Sequence, residues 1–224
     1  MKIVSWNCGS TFGKGLTPGK GIEIQNISSD AAILVIQEIN EDECKNIHGF
    51  ENFKWYGDHY NDEPGGIAVF VQKGYEINFI PKSEFGIKFR YVIPFSVKGE
   101  KEFTLVAVWA KGKPYYYTES ILLALYEYQI NHPAIIIGDF NTGSQKNKDS
   151  YYEYLEKGLN NKQFYNCDKA DDPSYTFFRG ERSYIDDYCF ASEKISLSAE
   201  LIVVDTDKFE NQSDHRPIIV DFNF

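Results

Sequence analysis

Two unbroken aliphatic runs limit what this chain can fold into. Residues 32–37 read AILVIQ and residues 134–138 read AIIIG. Neither alternates, so each suits a strand covered on both faces. A chain with two such strands needs layers on either side of its sheets. Each run also stops abruptly on a carboxylate, Glu38 in one case and Asp139 in the other. An apolar strand that ends this way holds its charged group at the rim of a rigid sheet.

Shorter apolar segments recur along the chain and read as strands: Ile3–Trp6, Ile67–Val71, Tyr91–Val97, Phe103–Trp109, Tyr184–Phe190, Leu197–Val204 and Pro217–Phe222. Helical spacing is expected over Glu119–Asn131, over Ser150–Leu159 behind an S-x-x-E cap, and over a short piece near Ile22–Ser28. Strands outnumber helices, yet helices recur between them. The expected architecture is a single α/β domain over 1–224, with two sheets face to face and helices outside. At 224 residues, 42% hydrophobic and 16% aromatic, the chain can bury a core of that size.

Charge narrows the partners. The formal net charge is −10, so a broad basic face of the kind that grips duplex DNA is not expected. Cys8, Cys44, Cys167 and Cys189 form no C-x-x-C pair and read as buried free thiols. The chain opens directly on an apparent strand, MKIVSWN, and has no apolar run long enough to span a bilayer. A cytoplasmic protein without membrane contact, and a monomer, is expected. The Gly-rich stretch Gly9–Gly21, with Lys14 and Lys20, fails as a phosphate loop because Gly21 follows Gly19-Lys20 where Ser or Thr is needed.

Four polar clusters close or precede strands: Ser5-Trp6-Asn7, Gln37-Glu38, Gly138-Asp139-Phe140-Asn141 and Ser213-Asp214-His215. Carboxylates crowded at one rim require a cation, and oxygen donors without a Cys set suit Mg²⁺ or Mn²⁺. A single His beside them suits acid–base or charge-stabilising work. That combination describes metal-assisted hydrolysis of a phosphoester.

The set and its order resemble the endonuclease/exonuclease/phosphatase superfamily, the DNase I-like fold. The matching pieces are SWN at 5–7, QE at 37–38, GGIAVF at 65–70, GDFN at 138–141, YIDDYCFAS at 184–192 and SDHRPIIVDF at 213–222. The resemblance implies a four-layer α/β sandwich and an in-line attack by water without a covalent intermediate. It implies Glu38 as principal metal ligand, Asn7 as a residue that helps hold the metal or phosphate, and Asp214 as a further metal-site or water-orienting carboxylate. Asp139 would orient or deprotonate the water, Asn141 would contact phosphate or nucleophile, and His215 would stabilise the phosphorane. Asp187 would orient His215, with Asp186 held in reserve. The family often has His or Tyr where Trp109 stands, which alters a substrate contact there. Arg179 and Arg182, which flank the catalytic strand, are the better substrate-binding candidates among Arg90, Lys111, Lys113, Arg179, Arg182 and Arg216. Tyr115–Tyr117 reads as packing before base stacking.

The expected function is a divalent-metal-dependent phosphodiesterase, foremost a nuclease acting on DNA or RNA. The alternative is a phosphoesterase for a small nucleotide or short signalling oligonucleotide, which the acidic charge favours. A further alternative is a non-catalytic binding module on the same fold.

Overall fold

The unbroken runs are covered on both faces because their residues divide between two cores. In β2 (Ile33–Ile39), Ile33 and Val35 point between the sheets, while Leu34 and Ile36 point outward. In β8 (Ala134–Ser144), Ile135 and Ile137 face inward and Ile136 outward. Each such side chain, fully buried, contributes about 1.5–3 kcal/mol. The coordinates are a computed structural model that describes residues 1–9, 18–57, 65–80, 92–111, 114–144, 150–204 and 212–223.

The first sheet holds β1 (Lys2–Asn7), β2, β3 (Asn52–Gly57), β4 (Gly66–Val71), β12 (Ala199–Val203) and β13 (Ile218–Phe222), in the order β12-β13-β1-β2-β4-β3. The second holds β5 (Glu76–Phe79), β6 (Val92–Lys98), β7 (Phe103–Trp109), β8, β10 (Phe177–Arg179) and β11 (Arg182–Ser192), in the order β10-β11-β8-β7-β6-β5. A short β9 (Phe164–Asn166) pairs with β11. Each sheet is mixed, with one parallel pair apiece among the pairings described: β1 with β2 and β7 with β8. Parallel neighbours need a crossover. Helix α1 (Pro18–Ser28) lies in the first and α3 (Pro114–Glu127) in the second.

Outside the first sheet, α1 and α2 (Glu41–Cys44) bring Ile24 and Cys44 against Val4, Leu34 and Ile36. Outside the second, α3 and α4 (Ser150–Asn160) bring Ile121, Leu125, Leu155 and Leu159 against Val106, Ile136 and Phe190. The result is the expected four-layer α/β sandwich. All four cysteines are free and buried, and burial pushes the Cys44 thiol up to about 12.

Several boundaries differ from expectation. Helix α3 spans Pro114–Glu127, not Glu119–Asn131. Proline suits the first helical turn, where its missing N–H costs nothing. Helix α1 likewise starts at Pro18, ahead of Ile22. Leu197 ends a helical turn, α5 (Glu193–Leu197), so the following strand begins only at Ala199. Strands β3, β5, β9 and β10 escaped the sequence reading because they are short or half-exposed edges with polar residues. Tyr91, Arg90, Lys14, Lys113 and His59 lie outside the described residues.

Candidate active site

The two parallel pairs set the ends of β1 and β7 beside polar residues of β2 and β8, and β8 continues through Asp139 to Ser144, past the expected end of its apolar run. In the first sheet Asn7 stands opposite Gln37, next to Glu38. In the second Trp109 stands opposite Asp139, and Asp139 opposite Asp187 on antiparallel β11. Strand β13 runs antiparallel to β1, with Ser5 opposite Ile218. His215, just before β13, therefore comes to the end of β1.

Asp139 is the hub. It is 1% exposed and accepts three hydrogen bonds: Asn7 Nδ2 to Oδ2 at 2.9 Å, Asn141 Nδ2 to Oδ2 at 2.9 Å, and Asn141 N to Oδ1 at 2.9 Å. Asn7 Nδ2 also reaches Glu38 Oε1 at 3.1 Å, so one amide bridges carboxylates from both sheets. Asn141 Nδ2 donates in addition to Ala110 O at 2.9 Å.

Two site residues carry backbone strain. Glu38 has φ 57° and Asn141 φ 51°, left-handed values that cost a non-glycine residue free energy. Glu38 sits in the irregularity between Gln37 and Ile39, where the β2–β4 ladder shifts register. Gly138 has φ 142°, and a Cβ there would lie 2.0 Å from Val108 O and 3.0 Å from Gln37 Nε2. Only glycine lets β8 approach β7 this closely just before Asp139.

His215 Nδ1 donates to Asp187 Oδ2 at 2.8 Å, and Nε2 lies 3.9 Å from Asp139 Oδ2. Asp187 is the carboxylate on His215; Asp186 instead accepts from Gly143 N. Burial alone would lower the imidazole, but Asp187, Asp139 and Asp214 more than offset it and hold His215 well above its ordinary value. Burial pushes the Asp139 carboxyl well up, His215 opposes this, and Asp187 and Asp186 add to it. Asp187 Oδ1 is buried without a hydrogen-bond partner among the described residues, so the bond to His215 Nδ1 is the one described for this carboxylate.

Other residues hold the site's backbone. Trp6 Nε1 donates to His215 O at 2.9 Å, Ser213 Oγ donates to Asn7 O at 2.7 Å, and His215 N donates to Ser213 Oγ at 3.1 Å. The Thr176 hydroxyl accepts from both Asp186 N and Asp187 N at 3.0 Å, and the Phe177 ring packs 4.9 Å from the His215 ring. These roles were not foreseen. Trp6 and Ser213 adjoin the expected residues in sequence, but nothing local marks Thr176.

Three expected residues make none of these hydrogen bonds. Asp214 is exposed, and its carbonyl accepts from Phe178 N at 2.8 Å. Trp109 is 1% exposed and packs in the core between the sheets, with Lys111 Nζ 3.5 Å from its ring centroid. Arg179 is exposed at the tip of the β10–β11 hairpin, opposite Arg182.

Ligand atoms of Asp139, Asp187 and His215 all lie within 4.8 Å of one another. The hydrogen bond to Asp187 already engages His215 Nδ1, which points this trio toward proton handling. Glu38 presents hard carboxylate oxygens across Asn7 from Asp139, a donor type that fits a small divalent cation, while Asn7 turns its Nδ2 to both carboxylates and its Oδ1 accepts from Gly9 N at 3.1 Å.

No family model matches this chain, and no curated protein matches it in sequence. Solved structures do match in shape. A 3′ phosphatase from Neisseria, bound to a product DNA hairpin, superposes with TM-score 0.75 at 19% identity, with all of both chains covered. An endonuclease/exonuclease/phosphatase family protein from Leptotrichia buccalis gives 0.71 at 16% identity, also with full coverage of both. The fold is that of the endonuclease/exonuclease/phosphatase superfamily. The endonuclease domain of TRAS1, a telomere-specific non-LTR retrotransposon, shares this DNase I-like fold with TM-score 0.71 and 16% identity, over 99% of this chain and 97% of that one. No helix among the described residues is long and apolar enough to cross a membrane.

Proposed function

We propose that this protein is a divalent-metal-dependent phosphodiester hydrolase, foremost a nuclease. The observation that carries the reading is Asp139. It is a buried carboxylate fixed by Asn7 and Asn141, with the His215 Nε2 3.9 Å from its Oδ2. Three of its roughly four acceptor sites are engaged, which leaves one for a water proton. Its raised affinity for protons suits it to take one.

The chemistry follows from these residues. Water forms the new bond to phosphorus in line with the departing ester oxygen, and its proton passes to Asp139. His215, kept cationic by Asp187, sets positive charge against the phosphoryl oxygens as negative charge builds there. Asn141 holds Asp139 in place through its backbone N–H and its side-chain amide. Glu38 would hold Mg²⁺ or Mn²⁺, with Asn7 tying it to Asp139 and Asp214 adding charge at the rim. The ion supplies Lewis-acid polarisation of the phosphoryl group.

The neighbours in shape include a protein bound to product DNA, which supports a nucleic-acid substrate. The net charge of −10 favours a second reading, in which the substrate is a small nucleotide or a short oligonucleotide. The deciding experiment offers Mg²⁺ or Mn²⁺ with single- and double-stranded DNA, RNA, dinucleotides and mononucleotides. Cleavage of polymers supports the nuclease, and cleavage of dinucleotides alone supports the second reading. A wild type inert toward all of them removes the hydrolase reading.

A further inference from the structure

Asp186 and Asp187 are consecutive, yet their carboxylates serve different neighbours. Ile185 stands opposite Ser144, and Asp187 stands opposite Asp139. Between those two pairs, β8 residues 140–143 face Asp186 alone, so β8 bows out there. The bow contains Asn141 at φ 51° and Gly143 at φ 65°. A backbone excursion of this kind leaves N–H groups without ladder partners, and a buried one without a partner is costly.

Asp186 closes the base of the bow. Its Oδ1 accepts from Gly143 N at 2.5 Å, and the residue is 5% exposed. Its own N–H is fixed by Thr176 Oγ1 at 3.0 Å. Thr142 Oγ1, inside the bow, reaches Ile185 O at 3.4 Å. The bow is therefore pinned to β11 next to the bond that sets His215. At its tip, Asn141 donates to Asp139 and to Ala110 O.

We propose that Asp186 is a positioning residue, whose carboxylate closes the β8 bow on Gly143 N and so holds Asn141 against Asp139. This rests on the hydrolase reading only for its kinetic consequence. The role needs an acceptor at Oδ1, not a negative charge. Asparagine keeps the acceptor; alanine and leucine do not, and leucine fills similar space.

The test compares Asp186→Asn, Asp186→Ala and Asp186→Leu by amide hydrogen exchange and by kcat and KM on whichever substrate the wild type cleaves. The leucine variant keeps the test open should alanine fail to fold. Exchange at Gly143 is expected to be fast in the alanine and leucine variants and slow in the asparagine variant. Turnover is expected to fall about ten- to a hundredfold without an acceptor, with KM unchanged, as misplacement of a catalytic group does. The asparagine variant is expected to stay within about threefold of wild type, since its geometry is kept. Slow exchange at Gly143 in the alanine or leucine variant overturns the proposal, as does an asparagine variant as impaired as alanine. An inactive wild type would sink the hydrolase reading, while the exchange result would still decide this one.

Discussion

His215 Nδ1 lies 2.8 Å from Asp187 Oδ2, with both residues buried, and this bond fixes which imidazole nitrogen faces Asp139. A carboxylate can only accept, so Nδ1 carries the proton and Nε2 faces the reacting centre. Asp187→Asn removes the charge that keeps His215 cationic and leaves the ring free to adopt the other tautomer. Turnover is expected to drop by about 10³- to 10⁴-fold, by analogy with the aspartate of a catalytic triad. Circular dichroism and thermal melting should show a folded protein. Near-normal hydrolysis by Asp187→Asn would remove this dyad from the mechanism.

The metal-free protein should lose stability as pH rises. Burial raises Asp139, while its carboxylate neighbours raise His215 despite burial. Both groups thus bind protons more tightly folded than unfolded. Their contribution is fully present below the unfolded values, near 3.8 for Asp139 and 6.5 for His215, and is lost as pH passes up through the folded values. Melting temperature in chelator should fall across neutral to alkaline pH. Added Mg²⁺ or Mn²⁺ should restore it, by about 2.7 kcal/mol at a hundredfold excess over Kd. Glu38→Gln should weaken that rescue and the hydrolysis together. A melting temperature indifferent to cation would argue against a metal at Glu38.

Gly138 is a steric requirement. With φ 142° and a would-be Cβ 2.0 Å from Val108 O, Gly138→Ala must move β8 off β7. A loss of about 3 kcal/mol is expected in denaturant unfolding. Turnover should fall with it, because Asp139 is the next residue. An alanine variant as stable as wild type would mean the strands separate there without cost.

Arg179 and Arg182 face each other across the β10–β11 hairpin, both exposed. Replacing both with alanine should raise KM for a polyanionic substrate and leave kcat alone. The slope of log affinity against log salt should shrink by about one for each phosphate that is no longer neutralised. Unchanged salt dependence would leave this hairpin out of the substrate path.

Much of the site was legible in the sequence because carboxylates and amides interrupt apolar runs, although only Asn7 ends its strand and Glu38, Asp139 and Asp187 lie within β2, β8 and β11. Asn7, Glu38, Asp139, Asn141, Asp187 and His215 do converge. The alternation of Ile33 to Ile36 between two cores was legible for the same reason: an unbroken run needs two covers. Local pattern could not show pairings across more distant parts of the chain. Thr176 binds the backbone of Asp186 and Asp187, and Trp6 binds the carbonyl of His215, 209 positions away. Nor could it show that the Asp214 carbonyl is tied to Phe178 N while the residue stays exposed. Trp109 ends its strand opposite Asp139, but it points into the inter-sheet core.

The most direct test of the central claim measures hydrolysis of the best substrate by wild type and by His215→Ala, each with Mg²⁺ or Mn²⁺ and with chelator. Wild type is expected to cleave only with the cation. The variant, folded and with comparable substrate binding, is expected to be slower by about 10³-fold or more. Equal rates in the two proteins, or cleavage that survives chelation, would contradict it.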